Sequence, residues 1–151
     1  MPAGPGGCLF NTGQQEMHEL KANSLGSRQG GGALIYVVDD EPMLLELASV
    51  ILEPLGYTIK TFRAPETALR AFRAAEPPPA LIITDYAMHT MTGLELVEAC
   101  RQVQPRQKVI LVSGTVGEDI LRGVPVQPDR FLAKPYRAKQ LMDMVEAVLV
   151  S

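Results

Sequence analysis

Cysteine is nearly missing from this chain: of 151 residues only Cys8 and Cys100 carry a thiol, the first in a glycine-rich leader and the second in a helical pattern. Their spacing suggests neither a disulfide nor a thiolate metal site, and a reducing cytoplasm is the expected compartment. Lysine and arginine form no dense run, and the net charge is −3. That argues against a free-standing nucleic-acid binder, because such proteins gain affinity by neutralising phosphates. No apolar stretch is long enough to span a bilayer, and the N-terminus lacks the charged start, apolar centre and small-residue cleavage site of a signal peptide. Neither nucleic acid nor membrane is expected as a partner.

What is present is material for one core. With 46% hydrophobic residues, the chain can bury a sizeable core but has too few residues for a second folded domain. Residues 1–32 stand apart, holding eight of the thirteen glycines, ending in Gly30-Gly31-Gly32 and showing little apolar periodicity. That composition predicts a disordered leader. Met17 is an alternative start, since a weak helical pattern runs from Met17 to Leu25 and none precedes it. The folded domain is expected over 33–151, with no output domain after it.

From Leu34 onward short apolar runs alternate with helical patterns, the sequence form of repeated βαβ units and a parallel sheet. Strands are predicted at Leu34–Val38, Tyr57–Phe62, Leu81–Thr84, Lys108–Val112 and Arg130–Ala133. A first helix begins near Pro42, a residue suited to the opening turn, places Leu44, Leu47, Ala48 and Ile51 on its core face and closes at Gly56. A second spans Ala64–Ala74, stopped by Pro77-Pro78-Pro79, whose rings remove amide donors and fix torsions. A third follows Gly93, with Leu96, Val97, Cys100 and Val103 inward. A short fourth helix is expected within Val116–Arg122, and a last one over Arg137–Val150 turns Leu141, Met144, Val145 and Val148 to the core. Met142 and Leu149 fall outside that stripe, as tolerated surface or part of a docking face.

The polar groups that end these runs carry the chemistry. Asp39-Asp40-Glu41 follows the first strand, Asp85 the third and Lys134-Pro135 the fifth. In an open parallel sheet ligands bind outside the carboxyl ends of the strands, so three carboxylates and one ammonium converge on a single crevice. Clustered carboxylates repel one another unless a cation relieves them, and a hard ion such as Mg²⁺ does so with oxygen ligands and retained waters. Asp39, Asp40 and Asp85 form that pocket. A carboxylate beside such an ion can act as a nucleophile toward a phosphoryl donor. Lys134 supplies the matching positive charge, and Ser113, ending the fourth run, a hydroxyl for a phosphoryl oxygen. The Lys134–Pro135 bond is a candidate cis peptide. Singly, each signal has a plainer reading: an Asp-Asp pair caps helices, Ser113 suits a turn, Phe131 suits a core, and Cys100 a small core position.

The set Asp39-Asp40-Glu41-Pro42, Thr84-Asp85-Tyr86-Ala87-Met88, Met91-Thr92-Gly93, Val112-Ser113-Gly114 and Lys134-Pro135-Tyr136 resembles the receiver domain of two-component response regulators, of the single-domain, chemotaxis-regulator-like kind. The resemblance covers residues 33–150 and implies an α/β, doubly wound, flavodoxin-like fold with a five-stranded parallel sheet of order 2-1-3-4-5. It implies that Asp85 accepts a phosphoryl group from a histidine kinase or phosphotransfer protein. Asp39, Asp40, Asp85 and the backbone carbonyl of Ala87 would hold Mg²⁺, and Lys134 would bind the phosphate. Ser113 and Phe131 would be the switch pair. It further implies a change of surface read by a downstream protein, a monomer or a phosphorylation-dependent dimer, and no enzymatic turnover beyond self-phosphorylation and self-dephosphorylation.

Departures from the family pattern are His89, where proline is usual, and Gly114, where alanine is; both leave their loops less rigid. His89 is expected in an exposed loop, without a metal or acid/base role, because the other histidine, His18, lies in the leader. Two other classes fit this pattern less well. An aspartyl-phosphate phosphatase of the haloacid dehalogenase type carries a second acid two residues after the nucleophile, where this chain has Ala87. A pseudo-receiver that no longer accepts phosphate conflicts with the intact acidic set.

Overall fold

A computed structural model describes residues 31–151. All but the last two residues of the expected leader, with the alternative start at Met17, lie outside them. The elements run β1 (Leu34–Val38), α1 (Pro42–Leu52), β2 (Thr58–Phe62), α2 (Pro65–Ala74), β3 (Leu81–Asp85), α3 (Gly93–Val103), β4 (Val109–Ser113), β5 (Arg130–Ala133) and α4 (Ala138–Val150). All strand pairs are parallel, in the order β2-β1-β3-β4-β5. The doubly wound receiver topology is therefore the one formed.

Why these runs become central strands follows from burial on both faces. Every residue of β3 and β4 is buried, including the polar Thr84, Asp85 and Ser113. Side chains alternate across the sheet, so Ile35 and Val37 enter one core with α1 and α4, while Tyr36 and Val38 enter the other with α2 and α3. Each fully buried aliphatic side chain contributes about 1.5–3 kcal/mol relative to exposure. Edge strands β2 and β5 are shorter of apolar residues and partly exposed.

The element ends differ from expectation by one residue at most strands: β2 starts at Thr58, β3 reaches Asp85, and β4 is shifted to Val109–Ser113. The last helix begins at Ala138, with Arg137 at its N-cap. Two differences are larger. The buried face of α1 is Leu45, Ala48 and Leu52, and Leu47 is 42% exposed beside Met43 at 80% and Val50 at 63%. The helix carries one charge, Glu46, in PMLLELASVIL, so almost any stripe along it is apolar and periodicity does not select the inner face. At the end of α3, Val103 is likewise exposed rather than buried. On α4 Leu141, Val145 and Val148 are buried, while Met144 and the unexpected Leu149 pack against the core's margin.

The second large difference lies between β4 and β5. In place of a fourth α-helix there is one 3-10 turn, Glu118–Leu121, closed by bonds from Ile120 N–H to Gly117 O, Arg122 N–H to Asp119 O and Val124 N–H to Leu121 O. Gly117 and Gly123 bracket five positions, Gly123 takes φ +76°, and Pro125 and Pro128 follow. That is too little chain to offset helix nucleation. The connection is held from outside instead. Arg101 on α3 donates from Nε to Gln107 O at 3.1 Å, from a terminal nitrogen to Gln127 O, and from the other to Asp129 Oδ2 at 3.0 Å.

Candidate functional site

The strand register brings the candidate side chains level. Val38 pairs with Thr84, Asp85 with Val112 and Ser113 with Ala133, so the residues that follow β1, β4 and β5 surround Asp85 at the end of β3. Backbone bonds continue the ladder past the strands: Asp39 N–H to Phe62 O at 3.0 Å, Tyr86 N–H to Val112 O at 2.8 Å and Lys134 N–H to Ser113 O at 2.8 Å. This is the crevice at the topological switch, where β1 and β3 diverge in connection.

Gly93 shows how tightly the backbone closes behind it. Its N–H donates to Tyr86 O at 2.7 Å, and a Cβ there would lie 2.3 Å from Asp85 O and 2.7 Å from Leu111 Cδ1. Only glycine fits. The helix it opens is capped by a reciprocal pair, Glu95 N–H to Thr92 Oγ1 at 3.2 Å and Thr92 N–H to Glu95 Oε1 at 2.8 Å.

Carboxylate oxygens of Asp39, Asp40 and Asp85 all lie within 4.8 Å of one another. Lys134 Nζ bridges two of them, 3.0 Å from Asp39 Oδ2 and 3.1 Å from Asp85 Oδ1. Asp39 Oδ1 accepts from Glu41 N–H at 2.9 Å, fixing that side chain where α1 begins. Burial, then the Asp39 charge, push the Asp85 pKa up, and Lys134 opposes them. Burial works against the Lys134 ammonium, but hydrogen bonds and charge from Asp39 and Asp85 outweigh it and its pKa rises. One cation for three acids leaves the pocket electrostatically short of positive charge, and carboxylate oxygens this close suit a hard divalent ion. The crevice, about 480 Å³, is lined by Asp40, Glu41, Asp85, Ala87, Gly114, Thr115 and Lys134.

Ser113 is 2% exposed and sits behind that lining. Its Oγ accepts from Thr115 N–H at 3.3 Å and Val116 N–H at 3.1 Å, leaving the hydroxyl hydrogen for another acceptor. Phe131 is partly buried and registers with Leu111 on the neighbouring strand. The Lys134–Pro135 bond is cis. Cys100 is buried, with its thiol pushed up to about 11 by that burial, an inert core group. His89 does lie in an exposed loop, yet its Nδ1 comes within 3.9 Å of Asp40 Oδ2, a contact no spacing in the sequence signals. The same loop is tied to α2 by the Thr90 hydroxyl donating to the Glu66 carboxylate, which draws the Glu66 pKa down.

A second, more apolar groove of about 360 Å³, lined by Leu44, Leu47, Gly114, Lys134, Pro135 and Tyr136, shares Gly114 and Lys134 with the crevice. Among the described residues no helix is long and apolar enough to cross a membrane.

The chain is similar to the transcriptional regulatory protein KdpE of Mycobacterium tuberculosis, at 28% identity over 77% of this chain and 50% of that protein. It is 31% identical to the nitrogen assimilation regulatory protein NtrX of Azorhizobium caulinodans over 76% of this chain and 26% of that one. It thus spans about half or less of the curated relatives it matches. Among solved structures it resembles the Vibrio cholerae chemotaxis protein CheY4, at TM-score 0.71 and 26% identity, covering 78% of this chain and 98% of the other. The response regulator TrrA of Thermotoga maritima, in complex with Mg²⁺-BeF, gives TM-score 0.67 and 29% identity over 78% and 99%. Residues 35–146 match the family described as the response regulator receiver domain, and a match over most of a chain that already folds in the receiver order places this protein in that family.

Proposed function

We propose that Asp85 accepts a phosphoryl group from a phosphohistidine of a kinase or phosphotransfer protein, with Mg²⁺ held by Asp40, Asp85 and the Ala87 carbonyl, and Asp39 completing the acidic pocket. The observation that carries this reading is the Lys134 ammonium bridging Asp39 and Asp85 at 3.0 and 3.1 Å. In the transfer an Asp85 oxygen attacks phosphorus, the bond from phosphorus to the donor's imidazole nitrogen breaks, and the departing imidazole takes up a proton. Lys134 turns from Asp85 to an incoming phosphoryl oxygen, keeping its bond to Asp39. Mg²⁺, when bound, screens the phosphoryl oxygens and stabilises their developing charge.

The surface supports a place for the donor. Met43, Leu47 and Val50 form an exposed apolar stripe on α1, which begins two residues after Asp40, and the apolar groove beside it opens onto Lys134. A protein that brings its imidazole to Asp85 covers both. The response then passes through Ser113: a phosphoryl oxygen attracts its hydroxyl, and the Thr115 and Val116 amides bonded to Oγ follow or lose their acceptor. The space left admits Phe131, so charge at the crevice becomes packing at the β4–β5 surface. The names of the relatives as transcriptional regulators concern proteins of which this chain matches half or less; for this chain the proposed readout is a downstream protein. The cytoplasm is the proposed compartment, and no substrate turnover is assigned.

Acetyl phosphate labelling tests the assignment. Label is expected on Asp85 alone, only with Mg²⁺ present. Label retained in Asp85→Asn, or indifferent to chelator, would overturn it.

A further inference from the structure

His89 approaches Asp40, a residue of the crevice lining, with Nδ1 and Oδ2 separated by 3.9 Å. The imidazole is 82% exposed, so no packing holds it and it is free to turn. Its loop is less free: Ala87 lines the crevice, and Thr90 is bonded to Glu66. Two donors on one ion at about 2.1 Å stand about 3.0 Å apart when adjacent and about 4.2 Å apart when opposite. The observed separation falls between those limits. An ion seated on Asp40 is therefore within reach of His89 after rotation of one side chain.

We propose that His89 is an additional ligand for the ion held by Asp40 and Asp85, and that it shifts the crevice toward first-row transition ions such as Mn²⁺ and Co²⁺ relative to Mg²⁺. The proposal rests on the reading that these carboxylates hold a divalent cation. Mg²⁺ prefers oxygen donors and keeps its waters, whereas imidazole nitrogen suits the transition ions. With a side chain lacking a donor at position 89, water takes that place for every ion. Transition ions bind most nitrogen and oxygen sites more tightly than Mg²⁺ in any case, so the informative quantity is the change caused by removing His89.

The test uses the full chain in a His18→Gln background, because His18 is the one other histidine. Calorimetric titration with Co²⁺ and with Mg²⁺ is compared between His89 and His89→Ala. Co²⁺ affinity is expected to fall about tenfold while Mg²⁺ affinity stays the same. Spin-echo modulation of bound Mn²⁺ should show a directly bonded nitrogen that the variant lacks. Equal Co²⁺ affinity, a parallel loss for both ions, or no nitrogen signal overturns the proposal while leaving the carboxylate site standing. Unaltered binding in Asp40→Asn removes the carboxylate site, and the His89 assignment with it.

Discussion

Replacing Asp85 with asparagine removes a charge while keeping the side chain's shape, and in metal-free protein the variant is expected to be the more stable of the two. The acidic oxygens lie within 4.8 Å of one another. At that separation and an effective dielectric of about 20, each like-charge pair costs about 3.5 kcal/mol, and Asp85 takes part in two, about 7 kcal/mol together. Its attraction to Lys134 at 3.1 Å offsets about 5 kcal/mol on the same footing. The remainder favours asparagine by about 2 kcal/mol, and relieving a buried charge acts in the same direction. Burial and Asp39 hold the Asp85 pKa above its ordinary 3.8. A raised folded-state pKa means that the folded protein takes up the proton more readily, so the wild type gains stability as pH falls through that value and has gained all of it below the unfolded value. The variant's advantage is thus full at neutral pH and fades toward about pH 4. Urea denaturation in chelator, followed by far-ultraviolet circular dichroism because the chain has no tryptophan, measures it. Saturating Mg²⁺ should narrow the gap by relieving the same repulsion in the wild type. A variant no more stable than the wild type at neutral pH, or an advantage unaffected by acid, refutes the charge argument.

Four further outcomes follow from the geometry. Ala87 and Thr115 line the crevice and offer an attacking water little positional help, so Ala87→Asn should speed loss of the phosphoryl group from purified protein in Mg²⁺ buffer; unaltered decay would mean another group orients the water. Gly93→Ala, whose Cβ would stand 2.3 Å from Asp85 O, should lower stability by at least about 1–3 kcal/mol and slow acetyl phosphate labelling, both read on one preparation. Gly114→Ala meets Lys134 Cβ at 3.3 Å and should be far milder. Arg101→Ala should cost about 1–3 kcal/mol and raise amide exchange across 117–127, and unchanged exchange there would show that the connection does not depend on the guanidinium.

Strands and site were legible for one reason: a central parallel strand must be apolar throughout, so a polar residue that ends such a run marks the crevice. Asp85 and Ser113 stand out this way, Lys134 ends the shorter apolar run of the edge strand β5, and the register then brings the three together. The buried face of α1 was hidden because ten of its eleven residues lack charge, and a helix without contrast is oriented by what it packs on. The β4–β5 connection looks helical in the sequence because Val116–Arg122 has apolar residues at helical spacing, while the decisive facts, Gly117, Gly123 and the reach of Arg101, concern backbone freedom and a partner from a different helix. The approach of His89 to Asp40 depends on the path of the loop after β3, which no local pattern encodes.

A connection fastened by side chains near its two ends differs in kind from one stiffened by a helix. A helix shares strain along its own ladder of bonds and answers a push by moving as a body. The stretch from Gly114 to Asp129 has, beyond a single turn, the Gln127 side-chain bonds to Leu121 O and Val124 O; one end is fastened to Arg101 and Val109, and at the other two amides are held by Ser113 Oγ. Pulling on one end while the other stays fastened changes how many conformations lie between them. Were Ser113 drawn toward a phosphoryl group as proposed, the segment's degree of order would change together with its surface.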